Sequence, residues 1–392
     1  LITNFHPHPG YGGGHHTYIR SLCESALAEE FRLALASPPA STLSRWAREA
    51  GIRRYEVDFP GSLREIPGIL RSIFRLQAVY REFGFDLVHA NGSRDHWIAA
   101  YWKLLFRQPV PLVRTRHALR RIAGDPVHHF LDNRLTQANI FVSQALLEQS
   151  GAAGRLKNAL VIPHGVDLQR FQPWERQADT ARELGIEEGD FVFGSVAGTG
   201  RYKRVDQFLR AFARTRLERP AKILVLGDED NGRRLTALAR ELGLEKLFIF
   251  GGYRADVRPV ISLFDVGFVL SDAVETSSFA AKEMLAMGVP LISSSFCGLV
   301  ENVDHGDNGF LVHPHRLEEI SAAIAAFARM SPAELARFRR AARAKAERCF
   351  SREAFIRRLG QVYREVLGAS AARGWNKARA APGPGGRTPV AS

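Results

Sequence analysis

The stretch FVFGSVAGTGRYKRVDQFLRAF, residues 191–212, decides the fold. Its first seven residues are a short aromatic and β-branched run, the pattern of a strand buried on both faces. Gly198 and Gly200 break that run, and Val205, Phe208, Leu209 and Phe212 recur at helical spacing behind Arg201, Lys203 and Arg204. Strand, glycine turn and helix in that order open a parallel sheet, whose next strand must return by a right-handed crossover. Downstream the unit repeats, with 222–228, 247–252, 266–271, 290–295 and 309–314 reading as strands between helical segments. Upstream, 1–5, 32–38, 53–59, 86–91, 111–117, 139–144 and 159–165 keep the same rhythm. The economical reading is an α/β protein of two doubly wound parallel-sheet domains in series. They share one cleft, because ligands of such sheets sit beyond the carboxyl ends of the strands.

A chain of 392 residues suits two cores rather than one. The expected division is a first domain over 1–165, a second over 166–350, and a helix over 351–371 that crosses back to the first. The Pro- and Gly-rich segment 372–392 has no apolar period and reads as a disordered tail. With 45% hydrophobic and 24% charged residues the composition is that of an ordinary globular protein. No apolar run approaches the roughly 18–20 residues of a membrane-spanning helix and no basic-then-apolar leader opens the sequence, so a cytoplasmic location is expected.

Cys23, Cys297 and Cys349 are too far apart for a disulfide framework or a CxxC site. The histidine groups at 6–8, 15–16 and 128–129 lack the HExxH pattern or a matched Cys/Asp set, and no metal or other cofactor is expected. The net charge of +13 is uneven: +7 over 1–165, +2 over 166–367 and +4 over the last 25 residues. A basic front half attracts polyanions. Without a zinc-finger or aromatic-glycine RNA motif, nucleic acid is not the expected partner.

Each candidate functional segment falls at the end of a strand. In GYGGGHH, Gly12, Gly13 and Gly14 let backbone amides approach an anion at a helix start, with a plain flexible turn as the other reading. The spacing is not GxGxxG, and no acidic residue stands about 20 positions on, which argues against a nicotinamide site. Arg201, Lys203 and Arg204 suit a diphosphate, with a solvated basic turn as the other reading. In AVETSSFAAKEMLAMGVPLIS, residues 273–293, Glu275 and Glu283 stand eight positions apart. A helix starting near Ser277 separates them by about 8–12 Å at 1.5 Å per residue, the reach from the ribose to the sugar of a nucleotide sugar. Both carboxylates then accept hydroxyl hydrogen bonds while the amides of Thr276, Ser277 and Ser278 face the phosphates. Taken alone, Glu275 also fits a helix-dipole partner and Glu283 a solvated helix residue.

The run DVGFVLSDAVETSSFAAKEMLAMGVPLISSSFCGLVENVDHGDNGFLVHP resembles the signature region of glycosyltransferase family 4, retaining enzymes of the GT-B fold with two Rossmann-like domains. IPHGVDLQRFQP (162–173), LVLGDEDNGRRLTALARELGLEKLFIFGGYRADV and the GGGHH start extend the resemblance in consistent order over roughly 1–367. It implies that Glu283 grips the ribose, Glu275 touches the transferred sugar, and Arg201 and Lys203 hold the diphosphate, while His117, in PLVRTRHAL, lies near the reacting sugar. Tyr253 and Arg254 follow the FIFGG strand and are expected to border the base. Two positions depart from the family pattern: ETSS stands where Glu-Gly-Phe-Gly is usual, which brings hydroxyls toward the sugar phosphate, and Gly198 stands where the phosphate arginine is usual.

The implied reaction moves a hexosyl unit from a nucleoside-diphosphate sugar, of the UDP or GDP type, to an acceptor hydroxyl. A nucleotide-sugar epimerase or hydrolase would use the same cleft, and a non-catalytic polyanion-binding protein would explain the charge alone. In IPGILRSIFRLQAVYREFGF (66–85), Ile66, Ile69, Leu70, Ile73, Phe74 and Leu76 alternate with Arg71, Arg75 and Arg81. Such a face suits an anionic membrane surface, hence a glycan or lipid-linked acceptor of lipopolysaccharide or surface-polysaccharide synthesis, with the protein peripheral on the inner face of the cytoplasmic membrane; the other reading is that the apolar residues pack on the sheet and the arginines are solvated.

Overall fold

The structure, a computed structural model, describes residues 1, 13–61, 63–122 and 125–372. The strand expected at 1–5, Gly12 and the tail expected at 372–392 lie outside these, apart from Leu1 and the last helical residue. Leu1 lies beside β1 (Leu35–Ser37): its terminal amine donates to the Ala34 carbonyl at 2.8 Å, and its own carbonyl accepts from Ala36 N at 2.8 Å.

All named strands pair in parallel, as the βαβ rhythm requires. In the first half β1 pairs with β2 (Arg54–Glu56), and β3 (Val88–Ala90), β4 (Leu112–Arg116), β5 (Thr136–Phe141) and β6 (Ala159–Val161) form a second group in that order. The helices of this half include α1 (Gly14–Cys23), α2 (Ile66–Phe83), α3 (Ser93–Leu105) and α4 (Gln144–Gln149).

In the second half β7 (Phe191–Ser195), β8 (Ala221–Val225), β9 (Phe248–Phe250), β10 (Val266–Val269), β11 (Leu291–Ser294) and β12 (Gly309–Val312) are arranged β12-β11-β10-β7-β8-β9. This is the doubly wound order, and its direction reverses between β7 and β10. Alternate side chains enter opposite cores. Phe191, Phe193 and Phe268 pack with Phe208, Phe212 and Phe327 on one face; Val192, Leu224 and Leu291 pack with Met284, Leu285 and Ala346 on the other.

α5 (Val205–Arg214) and α6 (Glu229–Glu241) cover the first of these faces. α7 (Phe279–Ala286) and α8 (Pro332–Cys349) cover the second. α7 sits low on the sheet because Gly267 has no side chain: a Cβ there would fall 2.6 Å from Met284 Sδ.

The final helix, α9 (Arg352–Ala372), belongs to the first half's core. Phe355, Ile356, Leu359, Val362 and Tyr363 pack on Tyr18, Ile19, Leu22, Val113 and Ile140. Each such side chain contributes roughly 1.5–3 kcal/mol on full burial. The chain therefore passes between the halves twice, at Gly165–Val166 and Phe350–Arg352, and the passages are bonded together. Val166 N donates to Phe350 O at 2.8 Å, and Arg352 N donates to Val166 O at 3.0 Å.

A Cβ on Gly165 would lie 2.5 Å from Arg352 Cα and 2.6 Å from the Ser351 carbonyl, backbone atoms that cannot step aside cheaply. Gly165→Ala is accordingly expected to destabilise the chain by about 1–3 kcal/mol, the scale of overpacking. Denaturant or thermal unfolding against the parent checks this.

Candidate functional site

At the carboxyl edge of the second sheet, at the switch point between β7 and β10, lies a cleft of about 740 Å³. Its walls include Lys203, Asp228, Tyr253 and Glu283 from the second half, Arg170 from the crossing segment, and His16 and Arg20 from α1. Its size suits a nucleotide.

The loop after β7 is shaped by its neighbours. Gly198 takes a left-handed φ of 89°, and Thr199 Oγ1 donates to Asp228 Oδ2 at 2.7 Å. Asp228 also caps α6 through Asn231 N at 2.9 Å. The three cations then separate. Lys203 lines the cleft and its Nζ bonds Glu275 Oε2. Arg201 is exposed and is not among the residues lining the cleft. Arg204 turns through a left-handed φ of 53°, which directs its guanidinium to Asp272, itself 2.9 Å from His315 Nε2. Of the three cations expected to cluster, Lys203 alone lines the cleft in this structure. A short turn that ends left-handed sends successive side chains in different directions.

The loop after β10 requires a second correction. α7 starts at Phe279, with Ser278 as its cap accepting from Ala281 N at 3.3 Å, so helical rise spans only the second half of the Glu275–Glu283 interval. Glu275 Oε2 accepts from Ser271 Oγ at 3.3 Å besides its bond to Lys203. The hydroxyls of Thr276, Ser277 and Ser278 do not line the cleft. Thr276 Oγ1 donates to the His117 carbonyl at 2.7 Å, Ser277 Oγ accepts from Lys282 Nζ at 2.5 Å, and Ser278 is spent on the cap. They serve the junction between the halves rather than crowding a sugar phosphate.

Glu283 lies one helical turn beyond Phe279, and both border the cleft. Burial pushes its carboxyl up to about 7, against the opposing influence of the Arg170 charge, while Asp256 adds to the rise. Arg170, Asp256 and Asn231 were not anticipated from the sequence. Arg170 stands in the IPHGVDLQRFQP link, where nothing in the residue pattern aims it at Glu283.

His117 lies in a cluster of rings behind the loop after β10. Its ring centroid is 4.1 Å from that of His15, 4.6 Å from Tyr18 and 5.3 Å from His164, which stacks on Phe279 at 4.8 Å. Its Nε2 is enclosed without a hydrogen-bond partner, and burial, then the neighbouring His15, His164 and His89, hold its pKa well below the usual histidine value. It does not line the cleft itself. Gly13 caps α1 and Gly14 faces Phe279, where a Cβ would meet the ring at 3.6 Å. Tyr253 and Arg254 both border the cleft; Arg254 is held by Glu183 at 2.6 Å. Among the described residues no group of three or more His, Cys, Asp or Glu is placed to hold a metal ion.

Two facing Rossmann-like halves with a nucleotide-sized cleft at the switch point define the GT-B arrangement. Residues 12–170 match Glycosyltransferase Family 4, and residues 176–345 match Glycosyl transferases group 1. The chain belongs to this glycosyltransferase family. D-inositol 3-phosphate glycosyltransferase of Geodermatophilus obscurus is 27% identical over 82% of this chain and 78% of its own length. N-acetyl-alpha-D-glucosaminyl L-malate synthase of Bacillus anthracis is 24% identical over 60% of this chain, which spans 64% of that relative's length. HepE of Anabaena, solved in complex with UDP, superposes with a TM-score of 0.78 at 21% identity, covering 93% of this chain and 98% of its own.

The raised carboxyl of Glu283 gives a pH signature. Between an ordinary glutamate value and about 7 the folded chain holds a proton that the unfolded chain has released, so this group's contribution is present at low pH and lost as pH rises through about 7. Melting curves of the parent and of Glu283→Gln from pH 5 to 8 are expected to show the parent losing stability relative to the variant across that window.

Proposed function

We propose that the protein transfers a hexosyl unit from a nucleoside-diphosphate sugar, with UDP or GDP as leaving group, to an acceptor hydroxyl with retention. The observation that carries this is that Lys203 and Glu283 face one cleft at the switch point from two different strand-end segments. HepE, solved with UDP and with UDP-glucose, supports a donor of that chemistry.

The Lys203–Glu275 pair gives the cleft a resting state in which neither charge is bare. On this reading an arriving diphosphate replaces Glu275 as the partner of Lys203 and frees the carboxylate to accept sugar hydroxyls. Glu283, once ionised, accepts from the ribose hydroxyls, with Arg170 stabilising its charge. As the sugar–oxygen bond breaks, negative charge grows on the diphosphate and Lys203 neutralises it. Attack from the same face lets the departing phosphate oxygen take the acceptor's proton. His117 holds the sugar side of the site through the loop its carbonyl anchors.

The acceptor is taken to be a lipid-linked or phosphorylated glycan of lipopolysaccharide or surface-polysaccharide synthesis, met on the inner face of the cytoplasmic membrane. Relatives named for inositol 3-phosphate fit an acceptor bearing phosphate. The support in this chain is a ridge on α2, where Ile66, Leu70 and Phe74 are exposed by 54%, 46% and 58% at one-turn intervals. Phe74 meets Phe106 at 5.5 Å, beside exposed Leu104 and Leu105, and Arg71, Arg75 and Arg107 flank the ridge. The stripe is narrower than the sequence pattern implied, since Ile73 and Leu76 are core residues and Ile69 packs against them. No helix among the described residues is long and apolar enough to cross a membrane.

Lys203→Ala is expected to lower kcat by about 100-fold or more, the scale of one electrostatic donor to a developing charge, with a smaller effect on donor binding. Single-turnover kinetics and calorimetry with UDP and GDP sugars read both quantities; a rate within a few-fold of the parent removes Lys203 from the leaving-group site.

The membrane reading has its own measurement. Flotation with phosphatidylglycerol vesicles is expected to recover the protein at about 0.1 M salt and lose it near 0.5 M, as the screening length shortens. Leu70→Glu with Phe74→Glu should abolish recovery, and equal recovery on neutral vesicles would favour a soluble acceptor.

A further inference from the structure

Lys282, next to Glu283, is 2% exposed, an unusual burial for an ammonium group. It points away from the cleft. Its Nζ donates to the His164 carbonyl at 3.1 Å and to Ser277 Oγ at 2.5 Å, and it lies 4.7 Å above the Phe350 ring. His164 follows β6 in the first half; Phe350 is at the return crossing.

Other contacts also tie the second half to the strand ends of the first. Thr276 Oγ1 reaches the carbonyl of His117, just after β4, and Glu301 accepts from Ala145 N, at the start of α4 after β5. Gly298 closes the seam: a Cβ there would lie 1.8 Å from the Thr276 carbonyl oxygen and 2.7 Å from Ser143 Oγ. The segment from Thr276 to Glu283 thus spans the junction on one side and the donor cleft on the other.

We propose that Lys282 is a positioning residue for transfer, tying the helix that presents Glu283 to the first half at His164 so that the donor is aligned with the acceptor-bearing half. A buried lysine is a poor choice for stability alone. Desolvation costs energy that an apolar side chain of similar length would not incur. Nucleotide binding uses the second half and should survive loss of the tether, whereas transfer needs both halves in register.

The test is Lys282→Met, with Lys282→Arg as the variant that keeps the charge and donors. In the Met variant, amide hydrogen exchange without ligand is expected to quicken at 163–166 and 276–283. Affinity for UDP or GDP should stay within about threefold, while kcat at saturating donor falls at least about tenfold, the scale of a small misplacement. The melting temperature should stay near the parent's, because losing a buried charge offsets leaving the His164 carbonyl unpaired. A Met variant with unchanged exchange or unchanged kcat overturns the proposal. If the Met variant does not fold, the Arg variant decides: retained turnover with parent-like exchange supports the tether, and loss of turnover in a folded Arg chain overturns it. The kinetic arm rests on the transferase reading. A parent that binds neither UDP nor GDP would refute that reading, and the ligand-free exchange comparison would still decide the tether.

Discussion

The seat of α7 on the second sheet is the constraint on which the site depends. β7 and β10 pair at the switch point with Gly194 opposite Gly267, so the sheet is thinnest where its winding reverses. A Cβ on Gly194 would strike the Phe264 ring at 2.2 Å, and one on Gly267 would strike Met284 and Leu291. Without side chains at these two positions a helix can lie close over the strands, its capped end at the crevice and its second turn inside it. Glu283 reaches the cleft and Lys282 the junction because α7 is wedged between them, a consequence of packing rather than of any attraction at the site.

In and around the cleft, several charges have a partner before any ligand arrives. Lys203 holds Glu275, Arg204 and His315 share Asp272, and Arg254 holds Glu183. The Lys203–Glu275 pair is largely buried, so a dianion can take over Lys203 only where Glu275 gains other hydrogen-bond donors in exchange. Glu283 differs. Its carboxyl is desolvated with the Arg170 charge only partly compensating, and it holds its proton to about 7. On the proposed reading, a ligand that supplies hydroxyl donors favours its ionised form.

The second sheet was legible in the sequence because its strands are buried on both faces. Continuous runs such as FVFGSVA and KILVLGD, punctuated by glycine, leave little ambiguity between strand and helix. Each expected strand of that sheet is present, slightly shortened. The roles of individual cations were not legible. Arg201, Lys203 and Arg204 look interchangeable in a string, yet a short turn ending in a left-handed residue sends one to the cleft, one to Asp272 and one to solvent. Lys282 was not singled out in the sequence, because spacing says nothing of a neighbouring half folding over it. On α2 the sequence marked six apolar residues, and only the sheet beneath decides which of them are core and which form the exposed ridge.

The ETSS segment and Lys282 make sense together rather than separately. Replacing glycines with hydroxyl residues removes backbone freedom from a loop beside the donor, and each new hydroxyl needs a partner where water is scarce. Thr276 finds the His117 carbonyl, Ser277 finds Lys282, and Ser278 finds the first turn of α7. Lys282 in turn would be costly to bury without Ser277 and the His164 carbonyl. The hydroxyls of the ETSS segment and the buried ammonium therefore satisfy one another. On the proposed tether, a loop that glycines would leave adaptable is held to the first half through Thr276 and Lys282, and the alignment of the donor cleft follows from how the two halves meet there.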